Sequence, residues 1–289
     1  MFGLTGTQLL SVTVLAALVT ALSSLIATVL KDFLFTRSFE KWKTRQQLRQ
    51  VYSKFRDPLL LATLEVTGRM IEIALESPVN FLEKSLLKAT PERMTANSAD
   101  DLYFQRYKFV STIYRLSGWL GWVELYRQEV AFLDSGSQET NRDFELHLEA
   151  IRSCLADGHL NDAENWLDWA DSLIFREEQR AIGESMIDPL KRAVVGYGSF
   201  YDRFIAVGTG AGSTWINVAT NFLTDLKSVS DPKTLDFRRA RCLFFIKHGV
   251  SLVECLNKSR VNDRLANARI KAIDELSKMR VIYPTMPTG

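Results

Sequence analysis

Residues 102–134, LYFQRYKFVSTIYRLSGWLGWVELYRQEVAFLD, form a long, aromatic-rich stretch without the period-two alternation of a half-buried strand. It predicts the core helix of the protein, as one element or as two bent around Gly118–Gly121. The same helical texture extends outward on both sides. On the N-terminal side, Phe35, Phe39, Trp42, Leu48, Val51, Tyr52 and Phe55 recur at helical spacing through FLFTRSFEKWKTRQQLRQVYSKF. Asp57-Pro58 then predicts a break and a fresh helix start, since Asp caps and Pro suits a first turn. LLLATLEVTGRMIEIALES continues as an amphipathic helix, and the polar run 88–101 is a surface loop.

On the C-terminal side, SGSQETNRD (135–143) is a loop. FELHLEAIRSCLAD and DAENWLDWADSLIFREEQRAIGESMI read as helices, and GYGSFYDRFIAVGTGAGSTWINVATNFLTDLKSV is helical apart from its glycines. TLDFRRARCLFFIKHGVSLVECLN and RVNDRLANARIKAIDELSKMR complete the helices. No alternating β-pattern of useful length and no internal repeat is visible. The expected fold is all-α: an N-terminal transmembrane helix followed by a cytoplasmic helical bundle. Its expected divisions are an anchor at 1–30, a basic amphipathic helix at 31–56, a bundle at 57–282 and a tail at 283–289.

Composition agrees. In 289 residues, 46% are apolar and 24% charged, which excludes wholesale disorder. Only 15 glycines and 7 prolines disfavour a turn-rich β fold. A net charge of +2 does not mark a nucleic-acid binder. Cys154, Cys242 and Cys255 are odd in number and sit in apolar helical contexts, so they read as reduced core residues.

The anchor rests on residues 9–30, LLSVTVLAALVTALSSLIATVL, which hold no charge. Twenty-two residues give about 33 Å of helix, enough for a hydrocarbon core of about 30 Å. Residues 2–8 carry no Lys or Arg and the apolar run continues past Ala21-Leu22-Ser23, so a cleaved signal peptide fits less well. Lys31, Arg37, Lys41, Lys43, Arg45 and Arg49 form a basic collar after the span, which Lys54 and Arg56 extend. Basic flanks stay inside, which predicts a single-pass inner-membrane protein with its N-terminus outside and its body cytoplasmic. The collar would meet anionic headgroups. Within the span, Thr13, Ala17, Thr20, Ser24 and Thr28 form one stripe of small residues suited to helix association, or to lining a narrow polar path.

Chemistry-bearing motifs are sparse. AVGTGAGSTW (206–215) lacks the strand, the acid spacing and the Lys of nucleotide-binding loops, and reads as a helix connection. Three pairs, Arg142/His147, Arg152/His159 and Arg241/His248, match the Arg-x(4–6)-His spacing of HEPN-type ribonucleases, in which Arg would stabilise phosphate and His transfer protons. Arg142/His147 fits such a motif best because it follows a polar loop. No metal-ligand spacing occurs, and no cofactor motif is present. Glu177, Arg180 and Glu184 share a helix face near Gly183, while Glu124 and Arg127 lie beside Trp119 and Trp122. Together these five charged residues predict a partly buried ion-pair network, covered also by Trp169.

YSKFRDPLL (52–60), GWVELYRQEVAFLD (121–134) and EEQRAIGESM (177–186) resemble segments of a group of uncharacterised bacterial single-span membrane proteins. The resemblance covers roughly residues 35–190. It implies a bacterial origin and carries no activity; Arg142/His147 lies outside the three blocks. The plan of one span followed by a helical body also resembles small membrane effectors of phage defence, in architecture alone. The sequence therefore favours a non-enzymatic, membrane-anchored interaction domain that self-associates. The rival is a membrane-tethered HEPN-like ribonuclease or pore-forming effector, with nucleic acid as the disfavoured partner.

Overall fold

A computed structural model describes residues 6–29, 31, 36–76, 80–88, 102–131, 142–156, 172–206, 214–226 and 236–279. The fold is all-α, as the spacing predicts, with one very short β-hairpin among the described residues. The described residues fall into two compact units, one up to Gln50 and one from Val51 onward.

In the first unit, α1 (Gly6–Val29) is a single 24-residue helix without a charged residue. Its described side chains run from Thr13 to Val29, and all are exposed. Among the described residues, no helix is long and apolar enough to cross a membrane. Helix α2 (Thr36–Leu75) begins in this unit, where Phe39 stacks on Trp42 at 5.8 Å.

The break expected at Asp57-Pro58 does not occur: α2 passes straight through Pro58. An interior proline removes one hydrogen bond and costs roughly 3 kcal/mol. Here Phe55, Leu59, Leu60 and Val66 are buried on either side of it, and their packing holds the helix together. The expected boundary at residue 56 therefore falls inside a helix.

The body is arranged around α3 (Leu102–Ala131), one uninterrupted helix through both Gly118 and Gly121. Trp119 is fully buried at its middle. Its indole donates to Thr63 Oγ1 of α2 at 3.1 Å, and its ring packs edge-on against Phe245, 5.2 Å away on a helix much later in the chain.

After a short 3₁₀ turn (Lys84–Lys88) and α3 come α4 (Arg142–Ala156) and α5 (Arg176–Ser185). On α4, Phe144, Leu148, Ile151 and Leu155 repeat at helical spacing and are buried, while Asp143 and Glu145 suit the positive end of its dipole. Helix α5 starts where Glu178 accepts the Phe175 N–H at 2.8 Å. Of the helix predicted over 162–187, the described part is helical over Arg176–Ser185, while Ser172 to Phe175 are extended or turn; the segment before them, with Trp169, lies outside the described residues.

Strands β1 (Ile187–Asp188) and β2 (Ala193–Val194) pair antiparallel. Their turn is local chemistry: Asp188 Oδ1 accepts from the Leu190 and Lys191 amides, and Arg192 takes a positive φ of 48°. Strands of two residues are too short to leave an alternating pattern. The chain continues through α6 (Tyr197–Phe200) into a π-helix (Tyr201–Ala206), then α7 (Thr214–Leu223), α8 (Phe237–Asn257) and α9 (Asp263–Lys278). Asp236 and Asn262 cap the last two, accepting from the Arg238 and Leu265 amides at 3.0 Å each.

Close backbone approach explains two glycines. A methyl at Gly183 would stand 2.7 Å from the Leu120 carbonyl oxygen, so α5 crosses α3 nearly backbone to backbone. One at Gly249 would meet Thr67 Oγ1 at 2.5 Å, where α8 crosses α2. None of the three cysteines is in a disulfide; Cys154 and Cys242 are buried as expected, but Cys255, near the end of α8, is exposed.

Candidate functional site

The glycine crossing brings the predicted charge faces of α3 and α5 together, but not as a fully buried network. Gln179, Ile182 and Gly183 take the packing face of α5, which leaves Arg180 at its edge, 53% exposed. Glu124 is the buried member, its side chain 5% exposed. Its Oε2 lies 3.9 Å from Arg180 and 4.0 Å from Arg127, and its Oε1 accepts from Gln128 at 3.3 Å. Glu177 and Glu184 are exposed and, among the described residues, form no ion pair; the expectation that they close the network is corrected. Arg180 occupies the rim because its long stem reaches the carboxylate while its head stays in water.

Glu124, Arg127, Gln128 and Arg180 border a cleft of about 340 Å³, which Tyr126 and Glu145 also line. The Tyr126 hydroxyl donates to the Glu145 carboxylate. Glu145 is exposed as a residue, yet its carboxyl is turned into this contact. Desolvation there raises it above the usual carboxylate range, opposed by the Tyr126 bond and by Arg127 and Arg152. Arg152 and Arg176 both reach Glu149 nearby. Each of these acids already faces a donor or a cation.

A more deeply buried ion-pair network lies elsewhere. Arg69 of α2, 6% exposed, donates to Glu72 at 2.7 Å, and Lys108 of α3 pairs with the same carboxylate. Phe81 covers both cations, 5.5 and 4.4 Å from its ring centre. Desolvation lowers the Arg69 guanidinium despite Glu72.

The Arg/His pairs divide by environment. Arg142 opens α4, exposed, while His147 is half-buried with a buried Nδ1 that has no hydrogen-bond partner among the described residues. Arg241 is buried and donates to Cys154 O at 2.6 Å and Ser172 Oγ at 3.1 Å, tying α8 to α4. His248 is buried on the same helix. His159 lies outside the described residues, as do residues 207–213 of the glycine-rich connection. Among the described residues, no three His, Cys, Asp or Glu side chains gather as a metal site.

In the first unit, Thr13, Ala17, Thr20, Ser24 and Thr28 are exposed on α1. Thr20 and Thr28 hydroxyls donate to their own backbone, to Ala16 O at 2.8 Å and Ser24 O at 2.9 Å. Of the basic collar, Lys31, Lys43 and Arg49 are exposed; the side chains of Arg37, Lys41 and Arg45 lie outside the described residues.

One cleft escaped the sequence reading. Tyr103 and Tyr107 of α3 face Tyr197 and Tyr201 across about 370 Å³. Tyr107 meets Tyr197 edge-on at 6.1 Å, and Tyr197 lies 6.3 Å from Tyr201. Between them Arg106, 7% exposed, donates to the Tyr201 hydroxyl at 2.6 Å. Burial, then the neighbouring tyrosines, pushes the Tyr197 hydroxyl up to about 12. The signal is present twice, as YFQRY and YGSFY, each placing tyrosines on one helical face at i, i+4. No family model, curated protein or solved structure matches the chain.

Proposed function

We propose that the protein is a membrane-anchored helical interaction domain that self-associates through α1, with its body on the cytoplasmic side of a bacterial inner membrane. The observation that carries this reading is the uncovered apolar surface of α1. Val14, Leu15, Leu18, Val19, Leu22, Leu25, Ile26 and Val29 are each more than half exposed, and they cover one broad face of about 140°, the other side carrying Ala, Ser and Thr. A helix with a broad bulky apolar face and no charge on any other suits lipid rather than water. The apolar run of the sequence begins at Leu9, ahead of the described side chains, and its full 22 residues reach the length of a span. The threonine hydroxyls bonded to their own backbone agree, since lipid offers them no other partner.

Self-association rests on the small-residue stripe, and orientation on the basic collar with its exposed Lys31, Lys43 and Arg49. Full-length protein carrying both Thr20→Ile and Ser24→Ile should associate less in a membrane two-hybrid assay, while still fractionating with membranes. Unchanged association would remove the stripe's role. Recovery of the wild-type protein in the soluble fraction would remove the anchor itself.

A further inference from the structure

The tyrosine cleft holds a cation that, among the described residues, has no acidic partner. Arg106 is nearly sealed from water, forms no ion pair there, and its buried Nε has no hydrogen-bond partner. Among those residues, one hydroxyl, from Tyr201, accepts from its guanidinium. A buried charge normally keeps its place through an opposite charge or a full set of hydrogen bonds. Arg106 therefore retains unused capacity for an anion, in the bidentate manner to which guanidinium is suited.

The walls add shape. Tyr107 and Tyr197 present ring edges and faces along the opening, and flat rings favour a flat partner. The Tyr197 hydroxyl stays protonated at any ordinary pH, so it donates rather than repels. The volume falls within the roughly 300–1,000 Å³ of small-ligand sites. Gly198 lines the mouth, where a methyl would meet nothing within 4 Å, so a larger side chain has room to occupy it. The wall opposite α3 ends in a π-helix starting at Tyr201, an irregularity that is common where side chains are re-aimed for binding.

We propose that this cleft binds a small planar aromatic molecule bearing a carboxylate or a phosphate, its anionic group on Arg106 and its ring against Tyr107 and Tyr197. A quaternary ammonium, the usual guest of a tyrosine cage, is disfavoured because Arg106 would repel it. Asp202 also borders the cleft, but it is exposed and screened, and it suits a donor on the ligand's outer edge. The proposal stands independently of the membrane reading.

Full-length protein in detergent would be titrated calorimetrically with AMP and indole-3-acetate as phosphate and carboxylate probes, and with adenosine and choline as neutral and cationic controls. The expected result is saturable one-to-one binding of at least one anion, with both controls weaker by about tenfold or more. Arg106→Gln and Gly198→Leu should each weaken that anion by about tenfold or more, the first by removing charge and the second by filling the mouth. Gly198 is an exposed helical position, so its variant keeps the fold and decides the matter should Arg106→Gln unfold. Failure of both anions to saturate, a control binding as tightly as the anions, or unchanged affinity in either folded variant would overturn the proposal.

Discussion

Gly183 lies so close to Leu120 that one methyl group would sit 2.7 Å from the Leu120 carbonyl oxygen and 2.9 Å from Glu124 Cβ. Backbone cannot yield as a side-chain tip can. Gly183→Ala gains about 1 kcal/mol of helix propensity and loses more to the forced separation of α3 and α5. The expected net loss is about 2 kcal/mol in denaturant unfolding. Gly68, on α2, has nothing within 4 Å of the same methyl, so Gly68→Ala should stabilise by up to about 1 kcal/mol.

Two ion pairs should respond to truncation by very different amounts. Glu72→Ala strands Arg69 and its 6% exposed side chain without a counter-ion, and should cost about 3–5 kcal/mol. Arg180→Ala removes a 53% exposed partner from Glu124, which keeps Arg127 and Gln128; the cost should stay below about 1 kcal/mol. Chemical denaturation of the two variants side by side checks the contrast.

Acidification should destabilise the fold from about pH 6.5 downward. Burial, with Lys247 and His147 alongside, holds His248 down at about 4, against an ordinary value of about 6.5. The unfolded chain takes up this proton as pH falls through about 6.5, while the folded protein resists until about 4. The stability is complete above the unfolded value and is lost progressively between the two, by up to about 3 kcal/mol. His147, lowered by burial against the pull of Asp143 and Glu254, acts in the same direction. Denaturation midpoints measured at about pH 7.5 and about pH 5 should differ in the wild type, and His248→Gln should shrink the difference.

The Arg/His pairs should not cleave RNA. Arg241 is held by Cys154 O and Ser172 Oγ, so it serves the junction of α8 with α4 rather than a phosphate. Pure full-length protein incubated with single-stranded RNA should leave it intact. Cleavage that His147→Ala abolishes, with the fold unchanged, would restore the ribonuclease reading.

Helical spacing made the fold class legible, because burial on one face of a helix repeats locally: Phe144, Leu148, Ile151 and Leu155 are readable without knowing what they touch. The unbroken α2 was not, since Asp57-Pro58 carries a local stop signal that packing by Phe55 and Leu59 overrides. Of the charge network, Glu124, Arg127 and Arg180 come together, but helical spacing alone does not tell which face the glycine crossing claims, so it misassigns Glu177 and Glu184. The tyrosine cleft joins positions about ninety residues apart, and no local pattern registers such a meeting.

Cys255 gives the molecule a reporter of its own. The other two thiols are sealed in the core, and burial pushes Cys242 up to about 12. Cys255 alone is exposed, with a thiol raised by partial burial and by Asp143, so alkylation should be slow at neutral pH and accelerate in mild alkali. A charged, membrane-impermeant maleimide should therefore mark the unmodified chain at one position. If the body faces the cytoplasm, intact cells would protect that position and permeabilised cells would expose it, so sidedness can be read without fusing anything to the protein.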